Sequence, residues 1–175
     1  MLTYLRLLLL CVLLAGCGQV DVKQYAGQTP ELDLREYFAG RVDGWGMFQD
    51  RKGEVIKRFH VLINGHVEGN TLTLDEDFSF SDGTKQKRVW TLTADADGYW
   101  RGTAGDVVGE AHGRVVGNAL HWQYVLSLPV DDQVYDVHLD DWMYLIDQDT
   151  LINRSLMSKF GVKVGQVTLF FRKQP

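Results

Sequence analysis

The chain has 175 residues, of which 45% are hydrophobic, 11% aromatic and 23% charged, a composition that excludes a disordered chain and a polytopic membrane protein and favours one globular domain. The formal net charge is -5, and Lys and Arg form no cluster of the kind that binds nucleic-acid phosphates. The 18 Gly against 3 Pro, with many aromatic residues, favour a β-rich fold with tight turns.

The N-terminus predicts a signal peptide over residues 1–16. A basic start ending at Arg6 is followed by an apolar run over residues 7–14. This run is too short to cross about 30 Å of hydrocarbon, which takes about 20 helical residues, so a cleaved signal is favoured over a transmembrane helix. The sequence that follows, Leu-Ala-Gly-Cys at residues 14–17, resembles the bacterial lipobox.

The lipobox resemblance implies that Cys17 is acylated and becomes the first residue of the mature chain. Because Gly18 rather than Asp follows it, the resemblance implies the outer membrane, with the domain facing the periplasm. The alternative is an ordinary secretory signal in which Cys17 is incidental. Cys11 would leave with the signal, so the mature chain would contain no disulfide even in an oxidising compartment.

The mature chain divides into a tether and one domain. Residues 17–30 are polar and without periodicity, which predicts a flexible tether to the lipid. The domain covers residues 31–175, and residues 31–38 predict a short helix after Pro30 with acidic residues in its first turn.

Alternating side chains predict β-strands in the remainder of the domain. The clearest alternation places Leu120, Trp122 and Tyr124 on one side and His121 and Gln123 on the other. Pairs such as Asn-Gly and Asp-Gly punctuate the strands and predict hairpins. No helical pattern separates the strands, so we expect an antiparallel, lipocalin-like closed barrel of roughly eight to ten strands. The second candidate is a β-sandwich.

The segment 105–117 has glycines every four residues and predicts a single strand, with its small residues inward and its charged residues, Asp106 among them, outward. Two explanations remain open: the glycines allow close packing of a bulky neighbour such as Trp122 or Trp142, or they wall a ligand cavity. Trp142 and Tyr144 have the outward parity. For the cavity, parity predicts the following lining: Phe78, Phe80, Trp90, Gly105, Gly109, Gly113, Trp122 and Tyr124.

The sequence predicts no catalytic residue, metal site or cofactor. The five His residues have no chelating spacing, and no motif for a nucleophile or a phosphate loop occurs. Acidic residues cluster at 75–77, 131–132 and 140–141, where solvated strand ends are favoured over a glycosidase pair. Asp141 shares the inward parity of Leu139 and Met143, so we expect a buried acid with an Arg or Tyr partner.

Several motifs together resemble a domain-of-unknown-function family of Gram-negative lipoproteins. They are the lipobox, Phe78-x-Phe80-x-Asp82-Gly83, Arg88-Val89-Trp90, the glycine segment 105–118, Asp140-Asp141-Trp142-Met143 and Asn153-Arg154-Ser155. The resemblance implies a lipoprotein and no particular activity. Gly40, Gly44 and Trp45 are loosely similar to the lipocalin Gly-x-Trp signature; the spacing differs by several residues, which implies a lipocalin-like barrel rather than a lipocalin.

Three functions follow as hypotheses. The first is a membrane-anchored module that binds an apolar or lipid-like molecule inside the barrel. The second is a scaffold lipoprotein with a filled barrel and a surface for an envelope partner. The third is a hydrolase of envelope glycans or lipids, which only the unpaired acids support. A dry interior of about 300 Å³ or more would favour the first over the second.

Overall fold

The computed structural model describes residues 20–130 and 132–175, and it forms a closed barrel of ten antiparallel strands. The predicted closed barrel is confirmed, and a two-sheet sandwich is excluded. The strands are β1 Gly40–Asp50, β2 Val55–Glu68, β3 Thr71–Phe80, β4 Lys85–Ala94, β5 Tyr99–Ala104, β6 Ala111–Val116, β7 Ala119–Val130, β8 Gln133–Leu145, β9 Thr150–Lys159 and β10 Val162–Lys173. One α-helix, α1, covers Leu34–Phe38, and two 3-10 helices cover Val22–Tyr25 and Ala96–Gly98.

Each strand pairs with the next along the chain, and β10 pairs with β1 to close the ring. The closing pair extends from Val42 opposite Lys173 to Asp50 opposite Gly165. Closure gives every strand a neighbour on both sides, so the sheet has no free edge strand of the kind that promotes aggregation. Tight turns connect the strands where the sequence places Gly at positive φ, for example Gly69 at 59° and Gly83 at 85°.

One end of the barrel is closed by α1. The helix begins after Asp33, whose side chain accepts a hydrogen bond from the Arg35 backbone N at 2.8 Å, and this cap explains why it starts later than the predicted residue 31. Leu34 and Phe38 are buried. The Tyr37 hydroxyl donates to the Asp149 carbonyl at 3.0 Å, in the turn between β8 and β9. The turns at the opposite end surround the mouth of the barrel.

The segment expected to be a tether packs on the barrel from residue 22 onward. Val22 is buried, and the Tyr25 ring lies 6.0 Å from Trp142 and 5.4 Å from Tyr144 between centroids. Gly117 closely approaches the Tyr25 backbone. Two apolar side chains therefore order a segment whose lack of periodicity predicted flexibility. The lipobox, Cys17 and residues 17–19 of the predicted tether lie outside the described residues.

The single strand predicted over 105–117 is wrong. β5 ends at Ala104, β6 begins at Ala111, and the intervening residues form a loop. Gly109 has a φ of 71°, a left-handed conformation that ends the alternation of a strand and is easy only for glycine.

Among the described residues, no helix is long and apolar enough to span a bilayer.

Gly113 packs against Trp122, as the first of the two explanations for the glycine segment predicts. The two residues are opposite each other in the pairing of β6 with β7. A Cβ built on Gly113 would lie 2.5 Å from Cε3 of Trp122, and one built on Gly102 would lie 2.9 Å from its Cζ2. Because neither Gly113 nor Gly102 has a Cβ, the indole ring of Trp122 fits into the barrel.

Candidate functional site

A cavity of about 820 Å³ extends from α1 to the mouth of the barrel. Leu34 and Phe38 of α1 form its closed end, and Ile56, Lys57 and Lys85 lie at its mouth. Its walls come from the inward side chains of β1–β4 and β7–β10. The volume falls in the range of about 300–1,000 Å³ typical of small-molecule sites. The barrel is therefore not filled by its own side chains.

Six of the eight residues predicted to line a cavity do line it. They are Phe78, Phe80, Trp90, Gly105, Trp122 and Tyr124. Gly109 and Gly113 do not: Gly109 lies in the loop before β6, where a Cβ would meet nothing within 4 Å, and Gly113 is covered by Trp122. Parity succeeds where a strand is regular and has no meaning at Gly109 in the loop; Gly113, opposite Trp122, has the predicted inward side but is covered by that ring.

The aromatic lining forms two groups. Towards the mouth, Phe78 and Phe80 stack with ring centroids 5.9 Å apart, and Phe59 lies 5.6 Å from Phe78. Deeper in the barrel, the Trp90 ring makes edge contacts with Tyr124 at 5.3 Å and with Trp122 at 6.0 Å. Such edge and stacked contacts hold the rings in fixed positions, so the walls of the cavity are largely preformed.

Polar side chains interrupt the apolar lining at mid-depth. This set, called the polar belt, consists of Glu76, Arg88, Asp106, Tyr124, Asp141, Asn153 and Ser155. Glu76 lies on β3 and Asp141 on β8, which are five strands apart in the ring of ten. The belt therefore presents carboxyl groups from opposite walls.

Arg88 organises one wall of the polar belt. Its Nε donates to both carboxylate oxygens of Asp106 at 3.0 Å, and its Nη2 donates to Oδ2 at 2.6 Å. Its Nη1 lies 3.8 Å from Oε2 of Glu76. Burial raises the pKa of Glu76 to about 7, although the Arg88 charge opposes that shift. Asp106 thus neutralises much of the guanidinium charge, so Arg88 lowers the pKa of Glu76 by less than burial raises it.

Asp141 occupies the other wall and is 5% exposed. The Tyr124 hydroxyl donates to its Oδ2 at 3.5 Å, so the expected inward orientation and Tyr partner are both present. Burial raises the pKa of Asp141 to about 7, against the lowering effect of Ser155 beside it. Burial likewise raises the pKa of Tyr124 well above its ordinary value. The Asp141 carboxyl group is therefore protonated for part of the time at neutral pH.

The polar belt was largely missed from the sequence, although one signal was available. Glu76 has the parity of Phe78 and Phe80, and Arg88 has that of Trp90. A charged residue at a position of inward parity is normally assigned to the surface, because burial of a charge is costly. Asp106 was expected to point outward; it lies in the loop rather than in a strand and turns inward to pair with Arg88.

The neighbouring acids do not form pairs across a cleft. Asp140, beside Asp141, points outward and accepts from Gln123 at 2.9 Å. Asp75 and Asp77, on either side of Glu76, are about half exposed. Asp131 lies outside the described residues. In the part of the chain that the structure describes, no three His, Cys, Asp or Glu residues are grouped to hold a metal ion.

The aromatic residues expected outside the lumen lie on the outer surface. Trp142 stacks on His121 at 4.3 Å and on Tyr144 at 6.1 Å. The Tyr25 ring packs against both of them. Trp45, which carries the loose lipocalin resemblance, is 46% exposed and packs on His60 and Phe170. It contributes nothing to the cavity.

Residues 11–173 match the model of a family described as "Protein of unknown function (DUF3833)". Among curated proteins, none matches the sequence. Among solved structures, the barrel is similar to the S-type phycobiliprotein lyase CPES from Guillardia theta, with a TM-score of 0.57, 8% identity, and coverage of 81% of this chain and 91% of that one. This likeness shows a shared fold.

A de novo designed fluorescence-activating β-barrel is also similar, with a TM-score of 0.44, 13% identity, and coverage of 82% of this chain and 99% of that one. Its TM-score is too low to support a conclusion about this protein.

Proposed function

We propose that this chain, which belongs to the DUF3833 family of proteins of unknown function, binds one apolar or lipid-like molecule in the lumen of its barrel and is held at the outer membrane by acylated Cys17. The observation that carries the binding proposal is the cavity of about 820 Å³, which opens at the mouth and is walled by aromatic and aliphatic side chains. A scaffold with a filled barrel would not need this space, because native interiors pack at a density of about 0.74.

Burial of apolar ligand surface would supply the affinity. At about 25 cal/mol per Å², a ligand that leaves the water for this lumen gains several kcal/mol from contacts with Phe78, Trp90 and Trp122. The rings are already held by one another, so little side-chain entropy is lost on binding. These features support a preformed site for an elongated apolar molecule.

The lipobox resemblance of residues 14–17 supports the membrane anchor. Several acyl chains on one Cys give stable anchoring, since each buried methylene contributes about 0.8 kcal/mol. If the anchor is Cys17, the five residues to Val22 span at most about 18 Å. Val22 begins the segment that packs by the Gly117 turn, at the α1 end of the barrel. We therefore propose that the closed end faces the anchoring membrane and the mouth faces away from it.

The binding proposal is tested by recovering the ligand. The full chain is isolated from membranes, extracted with organic solvent, and the co-purified molecules are identified by mass spectrometry. Leu126→Trp adds bulk to a lumen-lining position, and Val89→Trp adds the same bulk to an exposed position of β4. We expect wild type and Val89→Trp to carry the same lipid and Leu126→Trp to carry several-fold less. Equal recovery from all three chains would refute a lumen site.

The anchor is tested separately. Inhibition of the lipoprotein signal peptidase should leave an uncleaved precursor, and Cys17→Ser should release the protein from membranes in a carbonate wash. A Cys17→Ser chain that still sediments with membranes would place the anchor elsewhere, without bearing on the cavity.

A further inference from the structure

We propose that the lumen selects an elongated apolar ligand whose polar group is a hydrogen-bond donor without negative charge, a hydroxyl or an amine, and that the polar belt rejects carboxylates and phosphates at mid-depth. The inference rests on the proposed function and names the ligand class of the same site. It is carried by the excess of carboxyl groups in the polar belt and by buried oxygen atoms of that belt that make no normal hydrogen bond.

Three such oxygen atoms belong to two walls of the lumen. Oε2 of Glu76, Oδ1 of Asp141 and Oγ of Ser155 are buried and make no hydrogen bond of normal length in residues 20–130 and 132–175. The Glu76 oxygen has only the 3.8 Å ion pair with Arg88, and Ser155 lies opposite Asp141 in the pairing of β8 with β9. Asp141 is 5% exposed and Ser155 is 2% exposed, and all three residues line the cavity. A buried polar atom left without a partner destabilises the folded protein. A ligand group that donates to these oxygens removes that destabilisation, whereas an alkyl chain does not.

The charges of the polar belt decide against an anionic ligand. Its ionisable side chains are three carboxyl groups, Tyr124 and one guanidinium, that of Arg88. Asp106 already occupies Arg88 through a bidentate contact, and Glu76 lies beside the same guanidinium. The other cations of the lining, Lys57 and Lys85, lie at the mouth, where Lys57 is held by Asp82 at 2.7 Å. Among the described residues, an anionic headgroup at mid-depth would therefore meet carboxyl groups and a single cation, Arg88, which Asp106 already occupies.

The position of the polar belt fixes where the polar group of the ligand lies. Towards the mouth, the lining is apolar at Phe78 and Phe80, and towards α1 it is apolar at Leu74 and Trp90. Glu76 falls between these positions on β3. A ligand with a donor group can place it at mid-depth and extend its chain towards either end. When they are ionised, the Glu76 and Asp141 carboxylates would repel a carboxylate in that position, because the lumen shields charges poorly.

The test compares two ligands that share one chain and differ in the polar group. The full chain is placed in phosphatidylcholine nanodiscs at pH 8, above the pKa of about 7 of both carboxyl groups. It is titrated with the fluorescent polyenes parinaryl alcohol and cis-parinaric acid, and energy transfer from Trp residues reports binding. Asp141→Asn and Glu76→Gln remove one charge each. The matched controls are Asp140→Asn and Asp77→Asn, which neutralise the outward neighbours.

The informative quantity is the ratio of alcohol affinity to acid affinity, compared between chains so that partition into the disc cancels. We expect wild type and both controls to favour the alcohol, and the ratio to fall about tenfold in Asp141→Asn and in Glu76→Gln. Far-UV circular dichroism verifies that each variant is folded, and the two variants on opposite walls test the inference independently.

Two results would overturn the inference in distinguishable ways. If both probes bind saturably but wild type favours the acid, or the ratio is equal in all five chains, the donor preference is wrong and the cavity remains a binding site. If neither probe binds wild type saturably, the proposed function fails together with the inference.

Discussion

Replacing Asp141 by Asn should change the pH dependence of stability in a direction set by the buried carboxyl group. Burial raises its pKa to about 7, compared with about 4 in an unfolded chain. The folded state therefore holds a proton that the unfolded state has lost between these values. The stability that this group contributes is fully present below about pH 4 and is lost as the pH rises to about 7.

The difference in pKa corresponds to about 4 kcal/mol in total, of which about 3 kcal/mol falls between pH 5 and pH 8. Asn keeps the shape and an acceptor for Tyr124 but does not titrate. We therefore expect the free energy of unfolding of Asp141→Asn, relative to wild type, to increase by about 3 kcal/mol from pH 5 to pH 8. Subtraction of the two chains cancels the titration of all other groups.

The assay is urea unfolding of a chain comprising residues 20–175, monitored by Trp fluorescence at pH 5, 6, 7 and 8. Asp77→Asn is the control, because Asp77 is about half exposed and pairs with Lys87, which does not titrate in this range. If the difference between Asp141→Asn and wild type is the same at every pH, the carboxyl group does not titrate in this range. The account of the polar belt would then be refuted.

Further variants test the packing and the ion pair. Gly113→Ala should lower the free energy of unfolding by about 1–3 kcal/mol, since its Cβ would overlap Trp122. In the control Gly105→Ala, the new Cβ meets nothing within 4 Å, so the free energy of unfolding should change by less than about 0.5 kcal/mol. Equal urea midpoints of the two variants would refute this. Arg88→Met should cost about 1–3 kcal/mol in urea at pH 8, because it leaves the partly buried carboxyl groups of Asp106 and Glu76 without their cation; an unchanged free energy of unfolding would show that solvent screens the pair. Phe38→Ala should cost about 3–5 kcal/mol in thermal unfolding, because it opens a cavity at the closed end; an unchanged midpoint would mean that α1 does not seal the barrel.

The sequence predicts the barrel well because its strongest signal, alternation, reports directly on a sheet with one apolar face. β7 is the clearest example: Leu120, Trp122 and Tyr124 all face the lumen. The pairs at Gly69, Gly83 and Gly117 likewise mark real turns. The hairpin predicted at Asn64-Gly65 is wrong, because both residues lie inside β2, where the missing Cβ of Gly65 admits the Phe38 carbonyl. Where strands are regular, parity is sufficient to assign the cavity lining.

The failures have physical reasons. The loop 105–110 keeps the spacing of small residues across a break, and a positive φ at Gly109 is not visible in composition. Arg88 on β4 and Asp106 in the loop after β5 point inward because they pair with each other. The sequence does not show which residues of two separate elements become neighbours. The ordering of residues 22–30 depends on contacts with Trp142 and Gly117, which are remote in the chain.

The most direct test of a ligand site in the lumen is photo-crosslinking resolved along β7. The full chain in nanodiscs is irradiated with a fatty alcohol that carries a diazirine on its chain, and modified residues are mapped by mass spectrometry. The lumen site predicts crosslinks at Trp122, Tyr124 and Leu126, which line the cavity, and none at the alternate positions His121, Gln123 and Val125. Crosslinks confined to the alternate positions, or spread equally over both sets, would contradict it.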